Sequence, residues 1–360
     1  MKKTLDLSRF ADCHLHFEIN DYEKVRALLD YVSDLGVSDA ALLCLENYLG
    51  CDRAQMFTAL YFKETYKKIN LRVFGSLYEF DIYKEIPFED QLRRMMAMGC
   101  DGIKLMNMKP DVHKALGRGL NDPRYEPMFA LLEKTGFPVI IHAADPEEFW
   151  GDPKKMLAGQ VAAGWCYGDG TYPSYRQIYE EIYEVLDRHP SLNVTFAHFF
   201  FLSNDMPEAV RVMEKYPNVR FDLTPGHEMY VGFSKDIPAW REFFKKYQHR
   251  ILFGTDSTTT RPHDITYKKY ALVAQALTKD EQEFPIPRNP EISVRGLHLE
   301  NAIIENIAYN NFIDFAGAES APVNMGLARA EAERMLADAK AYPGQERTAA
   351  LLEEFLEKTE

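Results

Sequence analysis

Eight short apolar runs recur along the chain with amphipathic stretches between them, and this alternation restricts the fold more than any other feature. In order the runs are FADCHLHF (10–17), AALLCLE (40–46), LRVFGSLY (71–78), GIKLM (102–106), PVIIHA (138–143), NVTFAH (193–198), VRFDLT (219–224) and ILFGTD (251–256). The segments between them carry helical spacing, as in DYEKVRALLDYVSDLG and EDQLRRMMAMG, each closing on a glycine that can end a helix. Repeated strand-then-helix units build a parallel sheet covered by helices. Eight of them predict an α/β fold closed into a (β/α)8, or TIM, barrel. A doubly wound open sheet would give the same linear pattern, but no G-x-G-x-x-G follows any early strand, so that fold's usual dinucleotide signature is absent.

Two segments depart from the repeat. Residues 144–176 follow the fifth run and are rich in Gly, Trp and Tyr, far longer than an ordinary connection, which predicts a structure over the active face of a barrel. Beyond residue 316, GLARAEAERMLADAKAY and ERTAALLEEFLEKTE have helical periodicity and are parted by AYPGQ, so the barrel is expected over 1–316 and a helical C-terminal extension over 317–360.

Composition narrows the function classes. A formal net charge of -13 disfavours any general affinity for nucleic acid or anionic membranes, and a small-molecule substrate is the expected partner. The five cysteines, Cys13, Cys44, Cys51, Cys100 and Cys166, form no CxxC and read as free thiols of a reducing cytoplasm. The start MKKTLDLSRFADCHLHF has two lysines but no apolar h-region, and no later stretch is long and apolar enough to span a bilayer.

Chemistry concentrates at the predicted strand ends. His14 and His16 are two apart on the first strand and so project to one face, with Asp12 one step deeper on it. Paired imidazoles suit a zinc-like ion. A bare HxH is weak by itself, since histidines fall this close by accident in many proteins, but His142 closes the fifth run, His198 the sixth and Asp256 the eighth. That is the face where barrel enzymes place their reacting groups. His113, His189, His249 and His298 fall elsewhere and read as ordinary polar residues, while His227 and His263 follow strands seven and eight and can reach the active face. Lys104, central in the fourth strand, has three readings: a cation for a substrate carboxylate, a carbamylated bridge between two metals, or an amine reaching a buried acid such as Asp12. Arg53, Lys104 and His227 are candidate partners for a substrate carboxylate. Trp150, Trp165, Tyr167 and Tyr172 of the long segment either close over an organic substrate or pack that segment onto the barrel.

These residues resemble the amidohydrolase superfamily, and within it the amidohydrolase-related branch that includes aminocarboxymuconate-semialdehyde decarboxylase. The similarity runs from about residue 8 to about residue 316 on ADCHLH, GIKLM, DPRYEPMFALLEKTGFPVIIHAADPEEFW, LDRHPSLNVTFAHF, MEKYPNVRFDL, RILFGTD and IAYNNFIDFAG. The resemblance implies one divalent ion, zinc foremost with manganese as an alternative, held by His14, His16, His142 and Asp256. It further implies that His198 contacts the metal's water, that Asp256 and His198 are the catalytic pair, and assembly as a homodimer in the manner of many family members. In members with two ions, His198 and a bridging residue on strand four would bind the second. The expected reaction is hydrolysis of a small amide, ester or lactone. The alternatives are decarboxylation or hydration of an unsaturated or aromatic carboxylic acid on the same site, and a non-catalytic metal-binding scaffold.

Overall fold

The computed structural model describes residues 7 and 9–360, apart from 19, 47, 49, 50, 81–85, 157, 287 and 288. Its main sheet is built from β1 (Phe10–His16), β2 (Val37–Leu43), β3 (Asn70–Ser76), β4 (Gly102–Met108), β5 (Val139–Ala143), β6 (Val194–Phe196), β7 (Val219–Asp222), β8 (Ile251–Leu252) and β9 (Ser257–Thr258). All neighbours are parallel, in the order β8-β7-β6-β5-β4-β3-β2-β1-β9. The last apolar run and the residues just after it supply the two ends of that order. Ile251–Leu252 pairs with β7 and Ser257–Thr258 with β1, and the Cys13 amide donates to Phe253 O at 3.0 Å between them, so the sheet closes on itself as a TIM barrel.

Side-chain alternation sorts the core into two layers. Val139, Ile141, Val194, Phe196, Val219, Phe221 and Ile251 face the surrounding helices, while Ile140 and Leu252 point inward with Ala11, Cys13, Ala41, Leu43 and Phe74. Helix faces supply the outer partners. The helix Tyr22–Leu35 buries Val25, Leu28, Leu29 and Val32, starts at an Asp21 side chain that accepts from the Lys24 amide, and stops at Gly36 in the left-handed conformation. The helices Gln55–Thr65, Phe88–Met98, Glu126–Thr135, Tyr175–Arg188, Met206–Lys215, Ile237–Lys246 and His263–Thr278 complete the ring.

Two parts were not legible as strands or helices of the repeat. An antiparallel hairpin, β10 (Asp280–Ile286) and β11 (Asn289–Leu297), follows the last barrel helix and packs on it and on Ile237–Lys246. Pro285 and Pro290 within its strands disguise it, because proline removes ladder donors and is tolerated only at such edges. The segment Asn301–Ala316 is helical, with a π turn at Asn306–Asn310, and its Phe312 and Phe315 plug the lower end of the barrel interior. The C-terminal extension forms two helices, Met325–Ala341 and Glu346–Lys358, which lie against Phe88–Met98 and Gln55–Thr65. Among the described residues, no helix is long and apolar enough to cross a membrane.

Arg72 ties the barrel floor to the start of this extension. It is 0% exposed, pairs with Asp39 at 2.9 Å, and donates to the carbonyls of Gly317 and Ala318 at 2.6 and 3.0 Å. Arg72→Ala leaves a buried carboxylate and two carbonyls without that donor, and is expected to destabilise the fold by about 3–5 kcal/mol in urea denaturation. A loss within about 0.5 kcal/mol would mean that the pair is dispensable.

Candidate metal centre

The inward placement of the first-strand histidines depends on an irregularity. Ala11 and Cys13 face the barrel interior, yet so do His14 and His16, because the register with β2 shifts between Asp12 and Leu15. This bulge breaks strict alternation. Asp12 therefore does not share the histidine face, contrary to the expectation from spacing. Its carboxylate accepts from the Thr255 hydroxyl at 2.6 Å, from Tyr270 on the outer helix at 2.5 Å and from the His14 amide at 2.9 Å, and burial raises its pKa to about 6.

Both imidazoles have their tautomers set. His14 Nδ1 donates to Asp222 Oδ2 at 2.7 Å, and His16 Nδ1 to Leu43 O at 3.0 Å, so each Nε2 carries a lone pair. Those two Nε2 atoms face each other at 3.0 Å. Burial depresses the basicity of both rings, which opposes a proton shared between them. Two lone pairs held this close are relieved by a cation, and nitrogens each about 2.0–2.1 Å from one ion lie at roughly such a separation. Asp256 joins them. Its Oδ1 is 3.5 Å from His16 Nε2, and the donor atoms of His14, His16 and Asp256 all lie within 4.8 Å of one another. The donor set fits a divalent ion.

His198 and Asp256 do not end strands but sit in the turns just after them, with left-handed φ of 55° and 52°. Residues 198–201 are all left-handed, a costly arrangement at about 1–2 kcal/mol per residue. Packing holds it. Phe199 is buried among Phe221, Phe233, Trp240 and Phe244, and Phe200 stacks on Phe196 with ring centroids 4.0 Å apart. The His198 amide donates to Asp222 Oδ1 at 2.8 Å and Nδ1 to Thr224 O at 3.2 Å, which leaves its Nε2 as an acceptor. The His198 ring lies 5.7 Å from that of His14 and 4.9 Å from that of His142. Burial, then His142, brings its pKa to about 4.

His142 stands outside the close trio of donors. It packs on His198 and Phe201, and its Nε2 is 3.4 Å from Asp145 Oδ1. Asp145 is in turn held by Lys109 and the Tyr167 hydroxyl, both at 2.6 Å. Burial would raise the Asp145 carboxyl, but Lys109 and His142 hold it well below the usual range. Lys104 is 1% exposed, and its Nζ reaches His14 Nε2 at 3.4 Å and not Asp12; burial lowers its pKa to about 8.

A cavity of about 310 Å³ opens over these groups, lined by His16, His142, His198 and Asp256 together with apolar side chains such as Met106, Phe149, Trp165 and Leu272. Ile286 of the hairpin also reaches it. Arg53, Lys104, Trp150 and Tyr172 do not line it. Arg53 lies toward Phe80, 6.0 Å from its ring, while Trp150 and Tyr172 pack on Tyr167. Within the long segment the packing and covering readings thus divide between residues: Trp165 covers the cavity, and Trp150 braces the segment through its bond to Pro173 O at 2.8 Å. His227 opens the helix His227–Lys235, but its side chain lies outside what the structure describes. His263 stacks on Tyr31 at the protein's outer layer.

Sequence reading missed Asp222, Asp145, Lys269 and Glu228. Asp222 ends β7 on the inward face, a position where a lone carboxylate needs partners, and that was the available signal. Lys269, on the helix His263–Thr278, binds the Asp256 carbonyl and lies 3.3 Å from its Oδ2. Nothing in helical spacing distinguishes that lysine from one facing solvent. Burial would raise the Asp256 carboxyl, yet the Lys269 ammonium holds it below the usual range and so ionised.

Since Asp222 fixes the donor nitrogen of His14, Asp222→Asn should weaken zinc binding about 10–100-fold in chelator competition while the far-ultraviolet spectrum stays unchanged. Unaltered zinc affinity would show that His14 needs no such partner.

Comparison with known proteins followed the same lines. Curated protein sequences gave no match. Among solved structures, an uncharacterized TIM-barrel protein from Bordetella bronchiseptica aligns over 89% of this chain and 99% of its own, at 15% identity and a TM-score of 0.52. A putative amidohydrolase from Staphylococcus aureus aligns over 86% and 99%, at 13% identity and 0.53. IDCase from Metarhizium anisopliae, in apo form, aligns over 86% and 97%, at 13% identity and 0.51. At such identities the likeness is one of fold. The sequence model described as Amidohydrolase matches residues 80–291, more than half of the chain, and although β1 precedes that span the closed barrel brings its histidines to Asp256. On this match the chain belongs to the amidohydrolase family.

Proposed function

We propose that the protein is a metal-dependent hydrolase that cleaves a small organic amide, ester or lactone, with one divalent ion, zinc foremost, at His14, His16 and Asp256 and with His142 as a further ligand. The observation that carries this reading is the facing pair of Nε2 lone pairs, 3.0 Å apart beside an ionised carboxylate. When bound, such an ion supplies Lewis acidity and lowers the pKa of coordinated water to about 7. The protein's own groups do the rest. Asp256, kept ionised with Oδ2 toward Lys269 and Oδ1 toward His16, is the acceptor for the attacking water's proton and returns it to the leaving group. His198 has its Nδ1 proton committed to Thr224, so its Nε2 accepts a hydrogen bond and orients the water. The apolar walls exclude bulk water and hold an organic body.

Decarboxylation or hydration of a carboxylic acid on the same site gains most from a second cation for the substrate carboxylate. Of the cations that line the cavity, Lys109 and Lys269 are each engaged by a carboxylate, Asp145 and Asp256, and the exposed Arg261 is the group that a substrate carboxylate would meet in that second reading. The free state of all five cysteines supports a reducing, cytoplasmic setting.

The test is metal-reconstituted protein assayed against lactones, N-acyl compounds, esters and aromatic carboxylic acids. Hydrolysis at about one ion per chain, lost on chelation, is the expected result. His198→Ala should retain the ion while lowering kcat about 100- to 10,000-fold. Carbon dioxide release without hydrolysis would replace this reading with the decarboxylase, and loss of metal in His198→Ala would move that residue into the ligand set.

A further inference from the structure

A second cavity, of about 740 Å³, lies beside the first, and Pro146, Phe201 and Glu228 belong to the walls of both. One side is the face of the helix Tyr175–Arg188 that presents Tyr175, Tyr179 and Tyr183 at four-residue spacing. Among the described residues, Arg176 is the one basic residue lining it, and Glu180 already holds that guanidinium at 2.6 Å. Glu147, Asp205 and Glu228 line the cavity together with Tyr175. Acidic side chains at a rim are ordinary on a chain of this charge, and they would carry nothing alone.

Glu228 is of a different kind. It is 6% exposed, and its Oε1 has no hydrogen-bond partner among the described residues. The carboxyl folds back into the space that a side chain at position 226 would fill: a Cβ on Gly226 would lie 2.2 Å from Oε1. A buried carboxyl oxygen without a donor costs about 1–3 kcal/mol, and because the Glu228 side chain lines both cavities, a small swing away from Gly226 brings that oxygen to a ligand.

We propose that Glu228 receives an ammonium group of the substrate, so that the compound hydrolysed at the metal centre is an amide, ester or lactone that also carries a primary amine. A carboxylate or phosphate arm would be repelled by the Glu147, Glu148, Asp205 and Glu208 carboxylates of the same cavity, and a neutral donor would leave their potential unused. An ammonium satisfies the orphan oxygen, and tyrosine faces favour a cation beside them. Burial, with Glu148 and Asp145 nearby, raises the Glu228 carboxyl to about 8, so near neutral pH an arriving ammonium forms the ion pair as the Glu228 proton is released to solvent.

The location of the reacting bond rests on the hydrolase reading, but recognition of the amine needs no turnover and can be measured alone. Benzylamine and its neutral analogue benzyl alcohol are titrated calorimetrically into the full-length, zinc-loaded protein. Benzylamine should bind about tenfold or more tightly, and Glu228→Gln, which keeps volume, should remove that preference with metal content unchanged. Gly226→Ala, which displaces the carboxyl without deleting it, should weaken benzylamine in the same direction. Equal binding of the two probes, or unchanged benzylamine affinity in Glu228→Gln, would overturn the subsite. Amine preference with no hydrolysis of any amine-bearing substrate upholds the subsite and sinks the hydrolase, whereas hydrolysis with no amine preference sinks the subsite alone.

Discussion

The site depends above all on one buried carboxylate, that of Asp222. Its Oδ2 takes the Nδ1 proton of His14, and its Oδ1 takes the amides of His198 and Thr224 at 2.8 and 3.0 Å. A single group thus decides which nitrogen of His14 is free, and it pins the turn on which His198 rides. Thr224 extends the same arrangement, because its carbonyl receives the Nδ1 proton of His198. A carboxylate at 0% exposure is stable here because donors meet both of its oxygens, and it would be costly anywhere they did not.

Around that anchor the barrel stores local strain at the candidate site. The left-handed stretch 198–201 and the left-handed Asp256 are unfavourable for residues with side chains, and they persist because neighbouring structure over-determines them. Phe199 and Phe200 act as anchors in the layer between barrel and helices, while His198 is swung the other way, toward the cavity. Asp256 is fixed by Lys269 behind it and by the return of the chain into β9. A regular strand would have carried both side chains elsewhere.

Electrostatics divide the active face into zones. At the centre, four imidazoles are kept neutral by burial, a condition that metal binding requires. Lys109, just past β4, and Lys269, on the helix after the last barrel strands, are each matched by a carboxylate. Toward the tyrosine face of Tyr175–Arg188, the carboxylates outnumber the cations among the described residues, and Glu228 has an oxygen with no hydrogen-bond partner among them. On the proposed reading, this asymmetry would give a bound molecule a direction, with its reacting bond at the imidazoles and its far end at the acids.

Much of this was legible in the order of residues. The eight apolar runs fixed the strands to within a few positions, since burying one or both faces of a strand requires that pattern, and His14, His16, His142, His198 and Asp256 were marked by lying at or just past the ends of those runs. Local spacing could not reveal the bulge that turns Asp12 outward, nor the proline-bearing hairpin. It could not show that Asp222 and Lys269, 208 positions and 13 positions from the groups they hold, are partners. It also did not separate Trp165, which covers the cavity, from Trp150, which braces the segment behind it. Periodicity is a property of neighbours along the chain, so it determines elements and their faces. Tautomers, charge states and an unmet carboxyl oxygen depend on groups that meet only when the barrel closes, and only the tertiary structure decides them.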